Sequence, residues 1–350
     1  MGTNTVEIAV LAGDGIGPEV TEATLAVLDA LARRHALGLR FTPHRAGAMA
    51  YRETGTDLSD EVFAACTGAD AILLGAMGWP GIRAKDGTEL APQITLRQRL
   101  DLYAGIRPIR AIPGVPSPLA DPRAAGIDLV ILRESTEGLF FSKDRGTVTE
   151  DWAEETLRLT RPVTTRLARR SFELAARRKR RVTLVDKANV FRAFAWMRAL
   201  FAEEAKAHPG VAFDAAYVDA MALDLLRRPW DFDLLPTENM FGDILSDLAA
   251  GLIGGMGFAP SADVGDTHAV FQPSHGTAPD IAGQGVANPT AMILSAAMML
   301  EWLGDAPMAA AAAELRAAVD RAFADGLRTH DIGGAHGTAE AARRIIAALA

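Results

Sequence analysis

The chain opens on a short apolar run that ends in a glycine-punctuated turn and enters an amphipathic helix, and this commits much of the fold. Val6-Glu7-Ile8-Ala9-Val10-Leu11 reads as a buried strand and leads into Ala12-Gly13-Asp14-Gly15-Ile16-Gly17-Pro18-Glu19. The glycines supply the turn. Pro18 suits the start of a helix, where its missing N–H breaks no intrahelical bond. The helical pattern runs to about Arg34 and then repeats the theme: a strand near Leu39–His44, a helix near Asp60–Cys66 and a strand over Ala71–Gly75. Strands alternating with helices at this spacing predict an α/β fold built from βαβ units.

The middle of the chain has a different rhythm. Ile127–Leu132 reads as a strand, Leu139–Phe141 and Gly146–Thr149 as a short antiparallel arm, and Glu154–Arg178 as a long Arg-rich helix before the strand Arg181–Val185. From about Ala291 long Ala-rich helices run to the end. No internal repeat or long flexible linker interrupts the chain. Two intimately connected lobes are expected, residues 1–104 with 254–350 and residues 105–253.

Composition narrows the function classes. The formal net charge is -8 over 350 residues, with 49% hydrophobic and 23% charged residues, which is ordinary for a globular protein and unfavourable for binding a polyanion. The basic run Arg177-Arg178-Lys179-Arg180-Arg181 lies where a helix meets a strand. Cations stabilise a helix C-terminus, and no aromatic residues interleave it as in nucleic-acid binding. The single cysteine, Cys66, forbids an intrachain disulfide and fits a reducing compartment. The N-terminus lacks a basic leader, and Val6 stands where a myristoylation signal needs Ser or Thr. The apolar run Ala291–Leu300 is about half a membrane span. A cytoplasmic enzyme, with no nucleic acid or membrane as partner, is the expectation.

The chemistry concentrates in a few segments. Within Thr237–Asp247, Asp243 and Asp247 stand four apart and share one helix face. Like charges there need a compensator. A hard divalent cation such as Mg2+ or Mn2+ is one, since oxygen ligands suit it; solvation or salt bridges are another. Asp219, just after a strand-like run, could add a third carboxylate. Lys187 ends the run Val182–Val185 with Asp186. A lysine at a dry strand tip loses charge by desolvation and becomes a usable base, while an ion pair to Asp186 or another acid is the plainer reading. Arg97, Arg107 and Arg133 each adjoin apolar strand material. Converging arginines suit a dicarboxylate, because the guanidinium fork matches carboxylates bidentately. Finally, His275-Gly276-Thr277-Ala278-Pro279-Asp280-Ile281 through Asn288-Pro289 is a Gly-rich loop before a helix, suited to close approach by a nucleotide. The glycines 13, 15 and 17 lack the Rossmann dinucleotide spacing.

Taken together, the segments Leu11–Glu19, Val185-Asp186-Lys187-Ala188-Asn189-Val190, Asn239–Asp247 and Ala282–Pro289 resemble the isocitrate/3-isopropylmalate dehydrogenase family of β-decarboxylating dehydrogenases, in the right order along nearly the whole chain. The resemblance implies a two-domain isopropylmalate dehydrogenase-like α/β fold with a non-Rossmann nucleotide site, a homodimer, and an active site shared between subunits. It implies that Asp243 and Asp247, with Asp219 from the partner, hold Mg2+ or Mn2+. Arg97, Arg107 and Arg133 would bind the carboxylates. Lys187, also from the partner, would take the substrate hydroxyl proton. His275, Gly276, Thr277, Ala278, Asp280, Ile281 and Asn288 would hold NAD, with Asp280 repelling a 2′-phosphate. Oxidative decarboxylation of 3-isopropylmalate, a step of leucine biosynthesis, is the expected reaction. Tartrate, D-malate or another 2-hydroxy dicarboxylate is an alternative, and a non-catalytic relative is a further one. Two departures stand out. Phe140 occupies the place of the family's proton-donating tyrosine. In the segment Leu90–Leu96 before Arg97, Ala91 replaces the serine of isocitrate enzymes, while Gln93 and Ile94 give the substrate face a mixed polar and alkyl character.

Overall fold

The protein is described by a computed structural model covering residues 5–85, 87–143 and 145–350. Its strands are β1 (Val6–Gly13), β2 (Leu39–Pro43), β3 (Ala71–Ala76), β4 (Ala104–Arg110), β5 (Asp128–Glu134), β6 (Thr147–Val148), β7 (Ala153–Glu154), β8 (Arg181–Asp186), β9 (Ala212–Tyr217), β10 (Leu234–Thr237), β11 (Pro260–Val264) and β12 (Ala269–Pro273). Its helices are α1 (Gly17–His35), α2 (Ala48–Thr54), α3 (Asp60–Gly68), α4 (Pro92–Arg99), α5 (Arg161–Ala176), α6 (Arg192–Ala205), α7 (Val218–Arg227), α8 (Asn239–Gly251), α9 (Thr290–Leu303), α10 (Ala306–Ala324) and α11 (Thr338–Ala347).

Ten strands form one mixed sheet in the order β2-β1-β3-β12-β11-β4-β5-β10-β8-β9. The flanks are parallel, as the βαβ reading requires. The centre is antiparallel: β11 pairs with β12 and β4, and β4 pairs with β5. The strands of residues 104–237 occupy one side of the sheet. Those before and after them in sequence occupy the other. The two sides meet at a short seam, Ala262↔Ile106, Asp263↔Gly105 and Val264↔Ala104.

Burial explains the patterns. Strand β3 is buried along its whole length, as expected of a parallel strand covered on both faces. The apolar run in α9 is a core helix, with Thr290 through Leu300 all buried. A helix that is hydrophobic all round belongs inside a protein or a membrane, and among the described residues no helix is long and apolar enough to span a bilayer. Each fully buried Leu, Ile or Met there contributes about 1.5–3 kcal/mol.

Two expectations are corrected. The Arg-rich helix does not begin at Glu154; α5 starts at Arg161, with Pro162 in its first turn, and Glu154 lies in β7. Leu139–Phe141 is not a strand of the arm but part of a 3-10 turn, Leu139–Ser142. The arm is the small β6–β7 ribbon, pairing Thr147 with Glu154 and Val148 with Ala153. Proline and alternation, rather than helix-forming composition, set these boundaries. The basic run behaves as a helix–strand junction. Arg178 pairs with Asp128 and Asp233, both at 2.8 Å, and Lys179 Nζ donates to the Asp128 carbonyl at 2.6 Å.

Candidate active site

Alternation along the central strands creates the site. Successive side chains leave a strand on opposite faces. Arg107 of β4, Ser261 of β11 and Gln272 of β12 therefore face one cavity of about 240 Å3, while their neighbours Ile106, Ala262 and Phe271 face the other side of the sheet. The cavity also receives Gln93, Ile94 and Arg97 from α4, Arg133 from the end of β5, Phe140, Asp243 from α8, and His275 and Gly276 from the Gly-rich loop.

All three arginines are buried, and each is held by a different device. Arg97 Nε donates to Asp263 at 2.9 Å; Asp263 also accepts from Gln272 Nε2 at 2.7 Å and Ser135 Oγ at 3.1 Å. Arg107 Nη1 donates to Ser246 Oγ at 2.6 Å and lies 3.6 Å from Asp243 and 3.8 Å from Asp247. Arg133 Nε donates to Asn239 Oδ1 at 2.8 Å, and its guanidinium also pairs with Asp243. Helix α8 packs close enough to do this because residue 242 is glycine: a Cβ there would stand 2.7 Å from the Arg133 Cβ. Glu238 caps α8, accepting from the Met240 and Phe241 amides.

Burial pushes Arg133 down to about 9, and repulsion from Arg107 and Arg97 adds to the effect; it remains cationic at neutral pH. Arg107 is lowered by the same desolvation and by Arg97. Desolvation raises the Asp247 carboxyl against the pull of Arg107. Three crowded cations with a partly desolvated carboxylate beside them form a site that an incoming dianion stabilises. Polar atoms await partners here: Gln93 Oε1, Arg107 Nε, Ser261 Oγ and His275 Nε2 are buried without one. His275 Nδ1 lies 2.9 Å from the Gly276 carbonyl. That contact assigns the proton to Nδ1 and leaves Nε2 a bare acceptor.

Other expected residues stand apart from this cavity. Lys187 does not pair with Asp186, which is buried and bound by Arg198 at 2.6 and 2.8 Å. It pairs instead with Asp219, in the first turn of α7. The Lys187 side chain is a quarter exposed, so the strand tip is not dry within one chain. No group of three His, Cys, Asp or Glu among the described residues is arranged to hold a metal ion: Asp243 and Asp247 lie together, and Asp219 lies elsewhere. In the Gly-rich loop, the Thr277 carbonyl accepts from the Ile16 amide at 2.9 Å, and Ala278 takes a left-handed φ of 38°. Asp280 is exposed, Ile281 is half-buried and packs on the main core, and Asn288 donates from Nδ2 to Asp331 at 3.0 Å while its Oδ1 accepts from the Thr290 backbone amide at 3.0 Å.

Sequence reasoning passed over Asp263, Gln272, Ser246 and Asn239. Asp263 carried a usable signal, an acid inside the apolar strand Pro260–Val264, since a buried charge must be paired.

The chain matches the isocitrate/isopropylmalate dehydrogenase family model over residues 7–345. It is 43% identical to a 3-isopropylmalate dehydrogenase of Salinibacter ruber, covering 94% of this chain and 90% of that protein. It is 40% identical to one of Aquifex aeolicus, covering 93% and 91%. Among solved structures it resembles an isocitrate dehydrogenase from Methylococcus capsulatus, with a TM-score of 0.89, 35% identity and 99% of both chains covered. A β-decarboxylating dehydrogenase from Thermococcus kodakarensis matches with a TM-score of 0.83, 37% identity and 99% and 96% coverage. A fold, an arginine-walled cavity and a sequence match that agree along nearly the full length place this chain in the isocitrate/isopropylmalate dehydrogenase family.

Proposed function

We propose that this chain is an NAD- and divalent-metal-dependent dehydrogenase acting on a 2-hydroxy dicarboxylate, with 3-isopropylmalate as its substrate. The observation that carries the reading is the convergence of Arg97, Arg107 and Arg133 on one cavity beside Asp243. The arginines bind and orient two carboxylates, and Ile94 and Phe140 supply the apolar wall for an alkyl group. The residues fit both groups. Asp243 and Asp247 are an all-oxygen donor pair suited to Mg2+ or Mn2+, and the unpartnered His275 Nε2 beside the cavity suits a polar cofactor atom. NAD supplies the hydride acceptor, and the cation supplies positive charge toward the substrate oxygens. Thr277, Ala278, Asp280, Ile281 and Asn288 line the remainder of the proposed nucleotide path, where the acid at 280 disfavours a 2′-phosphate.

The third acid and the proton acceptor come, in this reading, from the partner subunit's Asp219 and the partner subunit's Lys187. Their mutual ion pair outside the cavity supports that assignment. So does the apolar surface near them: Val190, Phe191, Leu223 and Leu226, with Ile244 between the two α8 aspartates, are exposed, and such surface marks an association site. The homodimer, the division into lobes near residues 105 and 253, and a cytoplasmic location belong to the same proposal. The division follows the two halves of the sheet.

A second reading is favoured by one atom. Gln93 Oε1 is buried, unpartnered and at the cavity, which suits a substrate with a second hydroxyl on the neighbouring carbon, such as tartrate, while a smaller diacid such as D-malate would leave room for water there. Purified protein with NAD, Mn2+ and a panel of 2-hydroxy acids, followed by NADH absorbance, tests both. The fastest kcat/KM is expected with 3-isopropylmalate. A larger value with tartrate would select the second reading, no reduction with any acid would sink the enzyme reading, and reduction untouched by EDTA would sink the metal.

A further inference from the structure

Behind the active cavity, on the opposite face of the same strands, lies a second and larger cavity of about 660 Å3. Its size falls within the range of about 300–1,000 Å3 usual for small-molecule sites. The alternation that sends Arg107, Ser261 and Gln272 forward sends Ile106, Ala262 and Phe271 backward to form its floor. Helix α9 adds Leu294 and Met298, and α5 forms the far wall with Leu174. The apolar surface it presents comes from the half-buried Ile106, Pro108, Leu174 and Trp302, with Ala262 and Phe271, each 1% exposed, packed beneath them. The cavity bridges the β4–β11 seam, so both halves of the sheet contribute to it.

The rim is basic, and its charges are unequally engaged. Arg110 is spent on Asp320 at 2.7 and 2.9 Å, Arg178 on Asp128 and Asp233, and Arg316 on Glu301 at 2.7 Å. These pairs also neutralise Asp128 and Glu301, the carboxylates lining the cavity. Arg170 makes neutral contacts, to the Gly265 carbonyl at 3.5 Å and to the Tyr103 hydroxyl. Among the described residues, neither Arg170 nor Arg177 has a carboxylate partner. An apolar floor beneath two guanidinium groups without a carboxylate partner is complementary to a molecule with one anionic end and a hydrocarbon body.

We propose that this rear cavity is a binding site for an amphipathic monocarboxylate, its carboxylate at the arginine rim that Arg170 and Arg177 give α5 and its alkyl body against Ile106, Leu174 and Trp302. The site is independent of the reaction proposed above. Decanoate, kept below its critical micelle concentration, is the probe, and titration calorimetry is the measurement. One saturable site per chain is expected. Arg170→Glu with Arg177→Glu should weaken it about tenfold or more, since both changes reverse the charge facing the carboxylate. Met298→Trp, which fills the floor, should abolish it. Decanol, with the same body and no charge, should bind at least about tenfold more weakly. Arg107→Ala, which alters only the front cavity, should leave the affinity unchanged. Absence of saturable binding, affinity unmoved by the rim variants, equal binding of decanol, or loss of binding in Arg107→Ala would each overturn the proposal. The rim variants change side chains outside the core, so they keep the test decisive if Met298→Trp fails to fold.

Discussion

Asp263 is the hinge of the site's electrostatics, and its replacement by asparagine tests that claim. The side chain is 1% exposed and receives three donors, from Arg97, Gln272 and Ser135. Asparagine keeps the shape and one acceptor but removes the charge that balances buried Arg97. Leaving a buried cation uncompensated costs about 3–5 kcal/mol. At about 2 °C per kcal/mol or somewhat less for a chain this long, the melting temperature should fall by roughly 5–10 °C. Arg97→Leu should cost a similar amount, because Asp263 is then the orphan. The double variant Arg97→Leu, Asp263→Asn removes both charges and should be more stable than the sum of the singles by about 1–3 kcal/mol. Urea unfolding of the four proteins gives these values directly. An Asp263→Asn protein within about 1 kcal/mol of the parent, or singles that simply add, would refute the pairing argument.

Further consequences follow from the same geometry. Burial pushes the Glu134 carboxyl up to about 7, although the Thr136 amide and hydroxyl and the Glu137 amide favour its charged form. The folded state thus binds this proton more tightly than the unfolded chain, so the contribution is full below about pH 4.5 and lost as pH rises to about 7, by about 3 kcal/mol in all. Glu134→Gln should flatten the stability–pH curve in that window; an unchanged slope would show that Glu134 is not responsible. Gly242→Ala should raise helix propensity by about 1 kcal/mol yet displace Arg133, lowering kcat/KM by roughly 100-fold. Retention of full activity would mean that Arg133 is not held by close packing of α8. Phe140→Tyr places a phenol at a cavity whose lining otherwise offers little acid chemistry. It should raise trapped carbon dioxide per NADH on the proposed substrate, by up to about 100-fold if proton donation limits that step, and an unaltered ratio would assign the proton to water or to another group.

How much of this was legible in the sequence depends on the range of the interaction that fixes each feature. The β1–α1 turn was legible because glycine and proline act locally, and the α9 run because eleven consecutive buried positions leave a composition that cannot be amphipathic. The three arginines could be singled out, but not the means that hold them. Arg97 and Asp263 are 166 residues apart, and Arg133 and Asn239 are 106 apart, so no local pattern joins them. The start of α5 was misplaced because helix-forming composition extended past the point where β7 claims the backbone. Lys187 shows the limit most clearly. Its nearest acid in sequence, Asp186, is already committed to Arg198, and its partner is Asp219, 32 residues on. Strand alternation has the longest reach of all: one period-2 pattern in β4, β11 and β12 generates both cavities. A substitution that shifted β11 by one residue would turn Asp263 toward the apolar floor and Ala262 toward the arginines, exchanging the two faces together.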